Sequence, residues 1–186
     1  IDECEIVMVQ LETPVDGVWT AIKMAARKHK TVILDPAPAP KDGIPREVLS
    51  SITYFTPNET ELSMVSGMPV ETQEQIQAAA QRLVHMGVQN VLITMGAKGC
   101  MLVNAAGSKV YAAFKIDAVD STAAGDSFNA AFALGLLNEN RTVDEAVEFA
   151  NAAAELATTR NGAQASVPSA DEVRRFISKT HREERT

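Results

Sequence analysis

Cysteine is scarce in this 186-residue chain, with only Cys4 and Cys100 present. Two thiols cannot build a disulfide framework, and the usage fits a reducing compartment, so a cytoplasmic protein is expected. Basic residues are outnumbered, 17 Lys and Arg against 24 Asp and Glu, for a net charge of −7. A large nucleic-acid-binding face therefore has no source of charge, and no nucleic-acid partner is expected. No apolar run approaches the roughly 18 residues of a membrane span, which excludes a membrane partner of that kind. His29, His85 and His181 are far apart and lack ligand spacing. The chain opens at Ile1 without methionine, and no basic segment leads into an apolar run. That pattern is not a secretory signal, and we expect that something upstream is missing.

What is present suffices for a core. At 46% hydrophobic and 22% charged the chain is too apolar for disorder, and its length suits one domain. Cys4 to Leu11 reads as a buried stretch, and Glu5 to Leu11 is the first strand candidate. Thr13-Pro14 then starts a helix over Val15 to Lys28, since proline suits a first turn. Thr31 to Leu34 is a β-branched strand stopped by Asp35-Pro36-Ala37-Pro38-Ala39-Pro40, which makes a stiff loop. Ile52 to Phe55 and Val91 to Thr94 read as strands. Glu59 to Val65 and Gln73 to Met86 read as helices, the second with Ile76, Ala80, Leu83 and Val84 on one face. Cys100 to Asn104 and Lys109 to Ala112 look like a hairpin. Ala123 to Leu137, Thr142 to Thr159 and Ser169 to Ser178 read as helices. The last two open on capping boxes, Thr142 with Glu145 and Ser169 with Glu172. The charged tail after Lys179 should fray. Strands alternating with helices argue an α/β protein with a mostly parallel sheet.

The chemistry concentrates in Val119 to Phe132, VDSTAAGDSFNAAF. Small residues run into a helix start there. The N–H groups of Ala123, Ala124 and Gly125 would be unpaired, a ready anion hole. Asp126 beside it could take a proton from an alcohol attacking a phosphoryl group. It could equally just stabilise the first helical turn, and Asp120 has the same ambiguity.

Asp120 to Ala130 closely resembles the C-terminal signature of the ribokinase-like (PfkB) sugar kinases. Met8 to Pro14, Asp35 to Ala39, Thr56 to Glu61, and Thr159 to Pro168 resemble other segments of the same family. The resemblance covers essentially the whole chain. It implies a ribokinase-like three-layer α/β/α fold with a mostly parallel central sheet, its N-terminal part and β lid absent. On this reading residues 1–186 are the nucleotide-binding and catalytic half of a single domain, roughly the C-terminal 60% of a relative. Ser121 and Ser127 stand where relatives often carry threonine, and the loop Asn138 to Arg141 is slightly long for the pattern.

The resemblance also implies roles. Asp126 is the catalytic base and contacts the sugar; Ala123, Ala124 and Gly125 form the anion hole; Glu12 reaches toward the sugar. Asn58 and Glu61 are the family's NxxE pair, organising magnesium through water. Thr94, Met95, Gly96, Ala97, Lys98 and Gly99 form the nucleotide loop, joined by Asn58, Gly125 and Asn151. Asp120, Thr122, Ala157, Arg160, Gly162 and Ser166 make a potassium site, mostly through carbonyls. The implied activity is ATP-dependent phosphorylation of D-ribose at O5, with Mg2+ and K+ as cofactors and a homodimer for the full-length parent. The rivals are a relative acting on deoxyribose, fructose, a nucleoside or 2-keto-3-deoxygluconate, and a catalytically inactive nucleotide-binding fragment. A dinucleotide-binding domain is disfavoured, because no GxGxxG follows the first strand. These 186 residues alone are expected not to turn over, since sugar orientation and water exclusion would come from elsewhere.

Overall fold

The computed structural model describes residues 1–138 and 141–183. The centre of the Asn138 to Arg141 loop and the last three residues of the tail lie outside them. The chain forms two compact units, 1–96 with 100–110, and 97–99 with 111–186.

The first unit contains β1 (Ile6–Val9), α1 (Val15–Arg27), β2 (Thr31–Leu34), α2 (Arg46–Leu49), β3 (Tyr54–Phe55), α3 (Glu59–Ser66), α4 (Gln73–His85), β4 (Asn90–Thr94) and β5 (Cys100–Asn104). β6 (Gly107–Tyr111) completes one six-stranded sheet whose strands neighbour each other in sequence order. β1 to β4 run parallel, and β5 runs antiparallel to β4. Parallel strands are covered on both faces, so their sequences read as apolar runs rather than alternations. Val32, Ile33 and Leu34 of β2 and Val91, Leu92 and Ile93 of β4 are all fully buried. The helices bury one stripe each, Val18, Ile22 and Ala25 on α1 and Ile76, Ala79, Ala80 and Leu83 on α4. Trp19 packs partly buried against this core.

Two expectations change here. The first strand is half-buried rather than buried, with Met8 46% exposed, because β1 is the sheet edge and pairs only with β2. Cys4 precedes that strand and is half-buried. Cys100 is buried in β5, where desolvation pushes its thiol up to about 12. The short helix α2 was not legible. Pro45 precedes its first residue, a position where proline presets the helical turn.

The second unit contains α5 (Ala124–Leu136), α6 (Val143–Thr158) and α7 (Ala170–Glu183). Phe128, Ala131, Phe132 and Gly135 of α5 are buried, as are Ala146, Phe149, Ala150 and Ala153 of α6; Leu156 is half-buried. Small residues let the two helices approach closely. A Cβ on Gly135 would lie 2.8 Å from the Cβ of Ala146 and 2.9 Å from its Cα. The expected box at Thr142 and Glu145 caps α6. At α7, Glu172 donates its N–H to Ser169 Oγ and accepts from the Ser169 N–H. Helix α7 runs beyond the expected fraying point. His181 meets Glu148 of α6 at 2.7 Å, and Phe176 packs edge-on to Phe114 with centroids 5.1 Å apart.

Two outcomes follow from this packing. Gly135→Leu should lower stability by about 1–3 kcal/mol, read as a lower urea midpoint with unchanged slope. The roughly 1 kcal/mol of helix propensity gained does not prevent this, because the clash is with backbone. The second concerns acid. The Ser169 backbone N–H, and next the Arg160 guanidinium, hold the Glu172 carboxyl at about 2, below its ordinary 4.5. A carboxylate lowered in the folded state stabilises above its ordinary value and loses that contribution as the pH falls through the folded one. Glu172→Gln should therefore be modestly less stable than the parent near neutrality. The gap between their urea midpoints should close between pH about 5 and pH about 2.

Candidate active site

The segment before α5 is shaped by one carboxylate. Asp120 Oδ1 accepts from the N–H of Thr122 at 2.9 Å and from its hydroxyl at 2.7 Å, while Oδ2 accepts from the N–H of Gly162 at 3.1 Å. These bonds, led by the Thr122 hydroxyl, hold Asp120 below the usual carboxylate range. The Thr158 carbonyl fixes the same segment from behind, accepting from Val119 at 2.7 Å and Asp120 at 3.0 Å. So tethered, Ala123 sits in the left-handed region at φ 61, ψ 11. That conformation costs a non-glycine residue about 1–2 kcal/mol, and such strain gathers at functional turns.

The turn differs in one respect from three unpaired donors in a row. Ala124 closes onto the Ser121 carbonyl at 3.2 Å, because the left-handed residue before it folds the chain back. Among the described residues, neither Ala123 nor Gly125 gives its N–H to a backbone carbonyl. Asp126 follows in the first helical turn, exposed. An anion at this helix start would meet backbone N–H groups and the positive end of α5, with a carboxylate alongside.

Of the six residues assigned to a cation site, Asp120, Thr122 and Gly162 are joined by the bonds above. The Ala157 carbonyl accepts from the Arg160 N–H at 3.3 Å, and the Arg160 guanidinium turns to Glu172 at 2.6 Å. Ser166 is fully buried and gives its hydroxyl to the Ala163 carbonyl at 2.7 Å. The structure thus joins Asp120, Thr122 and Gly162 directly, while the bonds shown for Ala157 and Ser166 are local.

In the first unit the polar groups collect at the C-terminal ends of the parallel strands, the usual ligand side of such a sheet. Glu12 is exposed at a bend beyond β1. Asn58 and Glu61 form a reciprocal capping box, each accepting at 2.9 Å from the other's N–H. Burial first, and then the charge of Asp35, raise the Glu61 carboxyl, while its bonds to Asn58 act against them. Asp35 lies beside this box and was not among the expected site residues. It is 7% exposed, just past β2, and accepts from Gln10 at 3.3 Å. Its signal was a charged residue at the end of an apolar strand. Thr94 closes β4 and bridges to Asn58, giving its N–H to Pro57 at 3.0 Å.

Met95 is buried, and Gly96–Lys98 form one 3-10 turn whose residues are exposed. Gly99 at φ 92 is required by its own chain: a Cβ there would lie 2.0 Å from the Tyr111 carbonyl oxygen. Buried Asn151 donates to the Ala112 carbonyl at 2.8 Å. Gly99 and Asn151, assigned to the same nucleotide, thus meet the same stretch, Tyr111 to Ala113. Among the described residues no cluster of three or more His, Cys, Asp or Glu is placed to hold a metal. No described helix is long and apolar enough to cross a membrane.

The chain is similar to known proteins. The chain is 38% identical over 177 residues to Haemophilus influenzae ribokinase, covering 95% of this chain and 57% of that one. It is 34% identical over 178 residues to Salmonella typhi deoxyribokinase, covering 96% and 58%. The structure of Arabidopsis thaliana ribokinase complexed with ribose and ATP superposes with a TM-score of 0.88 at 36% identity, covering 95% of this chain and 56% of that one. The chain therefore spans a little over half the length of these relatives.

The expected fold class is corrected on one point. A ribokinase-like α/β/α fold with a largely parallel sheet is present, but an absent N-terminal part and lid do not describe it. The superposition runs through nearly the whole of this chain. Physically, β1 to β6 neighbour one another in sequence order, so no strand position between them waits for another segment. With fold and relatives in agreement, a match to the pfkB family carbohydrate kinase model over residues 4–170 completes the assignment: this chain belongs to the pfkB family of carbohydrate kinases.

Proposed function

We propose that this chain is the nucleotide-binding and catalytic half of an ATP-dependent pentose kinase. The reaction transfers the γ-phosphoryl group of ATP to O5 of D-ribose, giving ribose 5-phosphate and ADP. The carrying observation is the left-handed turn at Ala123 that opens α5 with Asp126 in its first turn. Support comes from the relatives named ribokinase and from the matched Arabidopsis structure, which holds ribose and ATP.

In this reading Asp126 accepts the proton of the attacking hydroxyl, raising its nucleophilicity as the new O–P bond forms. The N–H groups of Ala123 and Gly125 in the turn stabilise charge on the transferring phosphoryl oxygens. Because Asp120 and Thr158 already fix that turn, little reorganisation is needed when charge develops. Glu12 orients the sugar. Thr94 to Gly99, with Asn151, hold the nucleotide, and Lys98 adds positive charge there.

Asn58 and Glu61 suit magnesium in their chemistry, since both offer oxygen and the capping bond to Asn58 occupies only one Glu61 oxygen. Asp120, Thr122, Ala157, Arg160, Gly162 and Ser166 suit potassium through carbonyl and hydroxyl oxygens. When bound, the two cations neutralise phosphate charge and tune the field at the α5 start. The proposal includes a cytoplasmic homodimer. Phosphorylation of 2-deoxyribose is the second reading, favoured by the deoxyribokinase relative.

The test is ADP release with D-ribose, 2-deoxyribose and a sugar panel, with magnesium, with and without potassium, alongside ATP binding by calorimetry. Ribose-dependent release by the full-length protein is the expected result, and none by these 186 residues alone. Asp126→Asn should lower kcat by about 10²–10⁴-fold, the scale of a lost general base, with ATP affinity little changed. ATP binding without sugar-dependent release by the full-length protein would support a silent nucleotide-binding protein instead.

A further inference from the structure

A relay of hydrogen bonds runs through the second unit, from the first turn of α7 to the first turn of α5. It begins at Glu172. Oε2 accepts from the N–H and hydroxyl of Ser169 at 2.8 and 2.9 Å, and Oε1 accepts from the Arg160 guanidinium at 2.6 Å. Arg160 stands two residues before Gly162, whose N–H donates to Asp120 Oδ2 at 3.1 Å. Asp120 Oδ1 holds the N–H and hydroxyl of Thr122, and Thr122 directly precedes the left-handed Ala123. Each of the two carboxylates therefore bridges two segments, one oxygen to each.

Capping α7 does not need Arg160. Ser169 Oγ already accepts the Glu172 N–H at 3.3 Å, which is the helix-side half of the box. The ion pair is also about one-third exposed on both sides, 38% and 37%, and a pair so placed adds little stability. Its consequence is geometric. A charge-assisted bond fixes the direction in which the loop leaves α6, and hence where Gly162 meets Asp120.

We propose that Glu172, acting through Arg160, is a positioning residue that holds loop 160–162 and the Asp120–Thr122 turn in place at the start of α5. Its effect on turnover rests on the kinase reading above; its effect on the turn does not.

The experiment is amide hydrogen exchange by NMR on the 186-residue chain, parent against two variants. Glu172→Gln removes the charge facing Arg160. Ser169→Ala weakens the cap but leaves the ion pair. In Glu172→Gln, exchange at Gly162 and Thr122 should rise about tenfold, the scale of one lost charge-assisted hydrogen bond. In Ser169→Ala, only the first turn of α7 should exchange faster. Unchanged exchange at Gly162 and Thr122 in Glu172→Gln, or equal acceleration in both variants, would overturn the proposal. In the ADP-release assay on the full-length protein, Glu172→Gln should lower kcat several-fold with the KM for ATP held, and Ser169→Ala should move neither. Equal losses in the two variants would mark Glu172 as a helix cap alone. A full-length protein that phosphorylates no sugar would sink the kinase reading, and the exchange result would still decide this one.

Discussion

The carboxylate of Asp120 is the constraint on which the second unit's site depends. Three donors from two segments converge on its two oxygens, the N–H and hydroxyl of Thr122 and the N–H of Gly162. A left-handed alanine is unfavourable alone and persists only where its surroundings leave no alternative. Here Asp120 fixes the residues on one side of Ala123, and the hydrogen-bonded start of α5 fixes the other. The strain thus sits at Ala123, and the N–H groups of Ala123 and Gly125 meet no backbone carbonyl among the described residues. Gly125 and Asp126 inherit their placement from it.

Capping interactions serve a second purpose throughout the chain. Asn58 with Glu61, Thr72 with Gln75 and Thr142 with Glu145 all form reciprocal boxes. Only the first sits at the C-terminal end of the parallel sheet, beside buried Asp35. There the same two side chains that start a helix also concentrate oxygen donors. Glu61 feels burial and the Asp35 charge against its ionised form, with the bonds to Asn58 opposing both.

The two units use different means of close packing. The sheet buries β-branched and aliphatic residues on both faces of its parallel strands. The α5–α6 contact relies on small residues, Gly135 against Ala146, to bring backbones together. Close approach there leaves the helices little freedom to slide. The start of α5 is accordingly carried on a rigid element, while the loops that bind to it, after α6 and before α7, are held by discrete hydrogen bonds.

The amino-acid sequence alone determined what is local. Strand and helix periods, the capping boxes at Thr142 and Ser169, and the small-residue start of α5 depend on neighbours within one or two turns, so they were readable as pattern. The roles assigned to individual residues came from the family resemblance, and geometry alone leaves them proposals. Tertiary structure decided whatever rests on partners far along the chain. Gly162 reaches Asp120 across 42 residues, and Asn151 reaches Ala112 across 39. Gly99 is a glycine because Tyr111 passes over it, and β1 is half-exposed because only β2 pairs with it. Ala124 loses its free N–H to Ser121 through a left-handed turn that no propensity favours. Periodicity records which face of an element is buried. Only the folded chain records which distant carbonyl or carboxylate completes a hydrogen bond, because that choice is made by packing.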